Sequence, residues 1–379
     1  MTQKNQETTA DQLQALRKRL DHVDGAIIEA IAERQQVVAA IGELKQHHNT
    51  PLRHYARERE VIELGMARAR TAGVSERIAR EIFETLIHHS LGKQEHDQCM
   101  QSGQGEGRKA LVIGGAGRMG DWMARYLDTV GYQVTISDLN PGTGPFEAVR
   151  DWEQVLDEQH VVVVAVPLRP SNKILMRLAQ LRPRALIFDI GSLKSPMQQG
   201  LAALQEAGCR VCSVHPMFGP NEVGLSGRQI LFVDVGHAAA LAEARALFAP
   251  TAADCVELSL DAHDEVMAWV LGLSHLVNIA FADAVAQSGQ HVPLLKRISS
   301  STFNAQLQVA AQVVSENPRL YYEIQQGNGR TAEVVEHFQA SLAGLFEAIQ
   351  GTDEGRFMDT MMQAHEQLSA QVTEAAVTS

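Results

Sequence analysis

Residues 113–120 read IGGAGRMG, and within them Gly115, Gly117 and Gly120 stand at G-x-G-x-x-G spacing. KALVI before them reads as a strand, and RMGDWMARYLDTV after them as an amphipathic helix. Glycines at such a junction permit a tight turn and close backbone approach. The helix opening, with Arg118 and Met119, offers amide donors to a pyrophosphate. YQVTISD then ends at Asp138, eighteen residues past Gly120, where a carboxylate accepts hydrogen bonds from an adenosine ribose and repels a 2′-phosphate. The predicted cofactor is NAD. The plain alternative is a glycine turn beside a surface Asp.

A second group follows a later strand. SVHPMFGP (213–220) places His215 at a strand's carboxyl end, the edge where open α/β sheets bind ligands. DIGSLKS (189–195) brings Ser192 and Lys194 to the same edge. A neutral imidazole suits a base that takes a hydroxyl proton while NAD takes hydride, and a hydroxyl such as Ser192 orients it. Alone, a His before Pro is more often structural; the upstream dinucleotide site favours the functional reading.

These groups need a scaffold. KALVI, QVTISD, VVVVAVP, RALIFDI, CRVCSV and ILFVDV are strand candidates with helices between several of them, which predicts a Rossmann-type α/β domain, a doubly wound parallel sheet, over 109–260. Beyond 261 strands vanish, and helical patterns predict an all-α C-terminal domain over 261–375. Before the sheet, Leu13, Leu16, Leu20, Val23, Ile27, Ile31, Val38, Ile41 and Leu44 form a helical stripe from Asp11 to about Gln46, ended by Pro51. Further helices are expected over 56–71 and from 75 to about 95. This all-α domain, 11–96, has almost no core of its own, so dimerisation is the expected remedy; 97–108 reads as a linker.

The bulk numbers narrow the partners. A chain of 379 residues with 45% apolar and 21% charged content suits two or three globular domains. A net charge of −12 argues against nucleic acid or an anionic membrane. No segment approaches the eighteen or so apolar residues a membrane span needs, and the polar start lacks a signal-peptide core, so a cytoplasmic location is expected. Cys209 and Cys212 form C-x-x-C with His215 nearby, but no second ligand pair follows and CRVCSVH alternates like a strand; no metal is predicted.

VIGGAGRMG, DIGSLKS and above all HPMFGP resemble the prephenate dehydrogenase family, and the helical leader resembles the all-α class of chorismate mutase. The order of fusion resembles that of bifunctional enzymes of tyrosine biosynthesis, over about residues 11–375. The resemblance implies that chorismate is rearranged to prephenate, which is then oxidatively decarboxylated to 4-hydroxyphenylpyruvate with NAD. It also implies a homodimer through a C-terminal dimerisation domain, and tyrosine as feedback inhibitor. Two alternatives stay open: an arogenate-preferring dehydrogenase fused to a mutase, and a ligand-sensing protein without hydride transfer.

The rearrangement needs no nucleophile, only cations that hold a compact dianion and stabilise charge on its ether oxygen. Arg34 and Lys45, eleven residues apart, lie on one helical face within about 20° and are separated by about 16 Å along the axis; Arg17 falls about 100° off that face. The resemblance implies that Arg17, from a partner chain, and Arg34 bind carboxylates and that Lys45 and Gln94 donate to the ether oxygen. It implies that Arg57 adds a cation, that Glu58 accepts from the substrate hydroxyl, and that Ser90 shares the Gln94 face. His54 stands where relatives carry an Asp and is given no role. His263 and His275 match histidines of the prephenate pocket, with plain helix histidines as the alternative. Asn304 stands where relatives place a carboxylate-binding Arg. Lys296 and Arg297, on a neighbouring helical face, or Arg330, are candidate replacements, and Lys194 is a further helper.

Overall fold

The computed structural model describes residues 2–47, 54–222 and 224–378. It begins with three helices: α1 (Thr2–His47), α2 (Tyr55–Thr71) and α3 (Glu76–Ser102). α1 starts nine residues before the predicted Asp11; the predicted stop at Pro51 lies outside the described residues. His54 caps α2, its Nδ1 accepting the Arg57 amide at 3.2 Å, which gives a structural use to a residue with no assigned catalytic role. α3 runs on through Ser102, so residues 97–102, expected in the linker, are helical. The cause is burial: Cys99 joins the core under the sheet, and the helix stops only at Gly103, whose φ of 58° is left-handed.

The α/β part follows in the order β1 (Lys109–Ile113), α4 (Arg118–Thr129), β2 (Gln133–Ser137), β3 (Glu147–Val149), β4 (Val161–Val164), α5 (Leu168–Leu181), β5 (Leu186–Asp189), α6 (Gln198–Glu206), β6 (Arg210–Pro216), β7 (Gln229–Asp234), α7 (Ala238–Leu247) and β8 (Asp254–Ser259). The strands form one sheet ordered β3-β2-β1-β4-β5-β6-β7-β8. Parallel pairing holds from β3 through β6, with Leu111 opposite Thr135 on one side and Val162 on the other. β7 breaks the predicted all-parallel pattern and runs antiparallel to β6. The reason is its connection: the described residues of the β6–β7 link, 217–222 and 224–228, hold no helix of the kind a parallel crossover uses. β3, of three residues, and β8, of six, escaped prediction because neither has a buried apolar run. Val112, Val163, Phe188, Val214 and Phe232 form the centre of the core, and Cys212 is buried among them as a strand residue.

Beyond the sheet come α8 (Leu260–Met267), a π-helical turn over Ala268–Leu273, α9 (Ser274–Gln287), α10 (Val292–Ile298), α11 (Ser301–Ser315), α12 (Pro318–Gly327), α13 (Thr331–Gln350) and α14 (Glu354–Thr378). Here one expectation needs correcting. Within the helical stretch Leu260–Gln287 an 18-residue window reaches a mean hydropathy of 1.5, so by length and composition alone it could cross a membrane. It was passed over because Ser274, His275 and Asn278 interrupt its Val, Leu and Ile residues. It packs against α11 and α13, and Asn278 Oδ1 accepts from Gln306 at 2.8 Å.

By contacts the chain divides into two compact units. The first comprises Met1–Val166, Ile174–Ile190 and Leu201–Glu257, and the second Pro167–Lys173, Gly191–Gly200 and Leu258–Ser379.

Candidate functional site

In the first unit, the three helices bring part of the predicted cation set together. Arg34 on α1 reaches α3, donating from Nη1 to Ser90 Oγ at 3.0 Å and to the Leu86 carbonyl at 3.3 Å. Partial burial pulls its pKa below the ordinary value. Gln94, one turn beyond Ser90, donates from Nε2 to the Val38 carbonyl at 2.7 Å. The fit is close: a Cβ at Gly42 would stand 3.1 Å from the Gln94 side chain. Ser90 and Gln94 line a cavity of about 110 Å³ with Gln35, Val38, Ala39 and Gly42. Lys45 lies half-buried on the same helix, one face with Arg34.

The other members are elsewhere in the single chain. Arg17 is exposed. Arg57 is exposed and paired with Glu60 at 2.7 Å. Glu58 faces a different cavity, of about 570 Å³, whose walls include Ile62, Glu84, His88 and Arg228.

The same unit holds the glycine turn. A Cβ at Gly115 would lie 2.5 Å from Ile136 Cβ, and one at Gly120 only 2.1 Å from the Gly114 carbonyl. Both positions therefore exclude any side chain, and the helix opens close against the turn. Gly117 is the N-cap of α4, with Arg118 and Met119 in the first turn, so the opening of the helix lies at the glycine turn. Asp138 follows β2 and accepts the Ala116 amide at 3.3 Å and the Asn140 amide at 3.2 Å. The carboxylate thus stands beside the turn, where a ribose would be read. These features fit a dinucleotide. Sequence reasoning missed Gly114, whose φ of 90° and close approach to the Ala165 carbonyl, 2.6 Å from a built Cβ, make it as constrained as the motif glycines. The doubled glycine in IGGAG was its signal.

His215 is the penultimate residue of β6, opposite Leu231 of β7, and only 5% exposed. Two residues before it, the Ser213 hydroxyl donates to the Asp189 carboxylate on β5, and both are fully buried. That pair ties the carboxyl ends of two strands at the edge where the imidazole sits.

The second unit collects most of the other predicted groups around Asp264, which the sequence reading passed over. Its carboxylate accepts the Lys194 amide at 2.9 Å, the Ser195 amide at 2.7 Å and the Ser195 hydroxyl, and faces His263 Nδ1 at 2.7 Å. Burial pushes this carboxyl up, but the donors from His263, Ser195 and Lys194 outweigh it and hold the pKa at about 2. Asn328 donates to the Asp264 carbonyl at 2.7 Å. His263 is fully enclosed and has Asp264 as its partner. Lys194 is enclosed too, its ammonium donating to the Gly191 carbonyl at 2.7 Å. Ser192 sits half-buried between those anchored residues.

His275 differs. Its Nδ1 is buried without a hydrogen-bond partner, its ring lies 4.2 Å from that of Tyr321, and burial lowers its pKa. Asn304 lies in the first turn of α11, after Ser300 caps it by accepting the Phe303 amide at 3.2 Å. Extended backbone at Ser299 and Ser300 ends the preceding helix, so Lys296 and Arg297 belong to α10 and not to a neighbouring face of the Asn304 helix, as the spacing predicted. Arg330 is exposed and paired with Glu333 at 3.4 Å.

Residues 16–95 match the family described as chorismate mutase type II. Residues 142–242 match the nucleotide-binding domain of prephenate dehydrogenase, and residues 259–363 its dimerization domain. The glycine turn lies upstream of the second matched segment. A T-protein of Enterobacter agglomerans is 25% identical over 353 residues, covering 92% of this chain and 90% of the relative. A T-protein of Haemophilus influenzae is 25% identical over 356 residues, with shares of 92% and 90%. The crystal structure of prephenate dehydrogenase from A. aeolicus, in complex with hydroxyphenyl propionate and NAD+, shares the fold with a TM-score of 0.56 at 19% identity, covering 69% of this chain and 98% of that one.

Proposed function

We propose, for a chain that belongs to the chorismate mutase type II and prephenate dehydrogenase families, that it performs both reactions in succession, chorismate to prephenate and prephenate to 4-hydroxyphenylpyruvate. The observation that carries the pairing is that one chain matches the mutase and then both dehydrogenase domains, in the order in which the product of one reaction feeds the other. The segments of this reading are 11–96 for the mutase, 109–260 for nucleotide binding and 261–375 for dimerisation.

For the first reaction, Arg34 and Lys45 hold the substrate dianion with Arg17 of a second copy, whose position off the Arg34 face calls for donation across a dimer. Gln94 gives up the Val38 carbonyl to donate to the ether oxygen. Ser90 keeps Arg34 aimed, and Arg57 and Glu58 are assigned to a carboxylate and the ring hydroxyl. No proton is transferred, so positioning and charge supply the catalysis.

For the second, NAD when bound supplies the hydride acceptor. Gly114, Gly115, Gly117 and Gly120 leave room for its pyrophosphate, the Arg118 and Met119 turn of α4 faces that charge, and Asp138 takes the ribose hydroxyls. His215 accepts the proton of the ring hydroxyl as hydride departs from the carbon beneath it. The ring carboxylate leaves as carbon dioxide, and its bonding electrons make the ring aromatic. His275, with an unpaired buried nitrogen, is the better candidate of the two C-terminal histidines for a substrate contact; His263 already has Asp264.

The reading carries with it a homodimer, a cytoplasmic location and inhibition by tyrosine. The exposed stripe on α1 and the match to a dimerization domain support the dimer. The test is to mix the purified chain with chorismate and NAD. NADH formation from chorismate alone is the expected result, and NADH only with arogenate would replace prephenate by its amino analogue. Binding without NADH would reduce the chain to a sensor. Tyrosine is then titrated into the same assay, and the molecular mass is measured in solution.

A further inference from the structure

α3 carries Ser90 and Gln94 toward α1, yet the residue after Gln94 faces another way. Glu95 is 4% exposed, and its Oε1 accepts the Leu225 amide at 2.8 Å. Leu225 lies in the loop 217–228 that joins β6 to β7, the loop that begins two residues after His215. A second contact lies one turn earlier on the helix. Gly92 and Gly224 meet backbone to backbone, so closely that a Cβ at Gly224 would stand 2.7 Å from Gly92 Cα. The loop has anchors from the sheet domain as well: Trp122 donates to the Glu222 carbonyl at 2.8 Å and packs edge-on against Phe218 at 4.9 Å. Leu225 itself is buried in the core with Val214 and Phe232.

We propose that Glu95 is a positioning residue of the dehydrogenase, through which a mutase helix holds the loop that follows His215. The inference rests on the functional reading above. A carboxylate buried among Cys99, Tyr126 and Leu225 is costly to keep unless it is bonded. Burial raises its pKa against the opposing pull of the Leu225, Ala252 and Ser226 amides. Two of those amides, Leu225 and Ser226, belong to the loop, and spending such a group on them makes sense where they must not move. Its effect on the chemistry runs through the loop to β6 and the imidazole, while the glycine turn at Gly115–Gly120 lies in a separate loop after β1. The expected signature is therefore selective: prephenate turnover changes and the apparent affinity for NAD does not.

The test compares Glu95→Leu, which removes the acceptor, with Glu95→Gln, which keeps a carbonyl acceptor at the same reach, in the full chain. Prephenate oxidation by the unsubstituted chain is measured first; its absence sinks the functional reading and this inference with it. Glu95→Leu is expected to lower kcat for prephenate about tenfold or more, with KM for NAD unchanged and faster hydrogen exchange at the Leu225 amide. Glu95→Gln is expected to restore most of the rate. Gly224→Ala, which pushes the loop off α3 and leaves Glu95 in place, should give the same selective loss. A folded Glu95→Leu chain that oxidises prephenate at the full rate overturns the inference. So does a loss shared equally by NAD affinity and turnover, and if Glu95→Leu does not fold, a Gly224→Ala chain of full rate does so too.

Discussion

β1, β4 and β5 bury nearly every side chain they carry, whereas α1 presents Leu13, Leu16, Leu20, Val23, Ile27, Ile41 and Leu44 to solvent, Leu16 at 60%. The sheet fixes its site from within one chain: the Ser213–Asp189 pair and the glycine turn at Gly114–Gly120 are held by neighbours in the same domain. The helical leader fixes Arg34 and Gln94 by three hydrogen bonds between α1 and α3 and leaves its main apolar face uncovered. Burial of apolar area is what stabilises a helix of this length, since isolated helices are marginal in water. The difference teaches that the sheet is complete within one chain, whereas the proposed mutase face leaves apolar area for a second copy to cover.

The widest separation between the regions comes from removing one group from each. His215→Asn should reduce prephenate oxidation by about a hundredfold to ten-thousandfold, the usual worth of a positioned general base, while chorismate consumption stays normal. Gln94→Ala should lower mutase turnover by about a hundredfold or more and leave oxidation of added prephenate within about twofold, a direct break of the comparison if both fall together. Charging the exposed stripe sharpens it further. Leu20→Glu with Ile27→Glu should make mutase activity fall about tenfold and become dependent on protein concentration, checked by dilution assays. The dehydrogenase sheet should melt at nearly its normal temperature.

The smallest effect concerns pH. The folded Asp264 carboxyl sits at about 2, below the ordinary 3.8. A depressed carboxyl stabilises the fold above its unfolded value and loses that contribution as pH falls from about 3.8 through 2, an effect of about 2 kcal/mol. Urea midpoints measured across that window should drop for the unsubstituted chain, and Asp264→Asn should flatten the decline.

Much of this arrangement was legible in the residues. Strands with unbroken apolar runs, such as VVVV in β4, announce themselves because both faces are covered, and the glycine motif is legible because its spacing is imposed by the backbone. β3 and β8 were not, since an exposed edge strand has no burial pattern to read. Lys296 and Arg297 were placed on the wrong helix because three consecutive serines fit a helix as well as a cap, and only the backbone at Ser299 and Ser300 decides. Asp264 and Glu95 were passed over for a common reason. Each is a charged residue in a helical pattern, where a solvated face is the ordinary reading, and only tertiary structure shows an acid turned inward toward amides. The proposed mutase groups were picked out by motif, and in the single chain Arg17 and Arg57 stand exposed while Arg34 and Gln94 join α1 to α3.

The uninterrupted run of α3 past residue 96 bears on how such an enzyme can be divided. A gene split at that point would cut through a helix, leaving Cys99 and its last turns on one fragment and Gln94 on the other. Evolutionary fission, or an engineer's separation of the two catalysts, must instead cross at Gly103, and each half would then carry a raw surface that needs new polar residues before it could live alone.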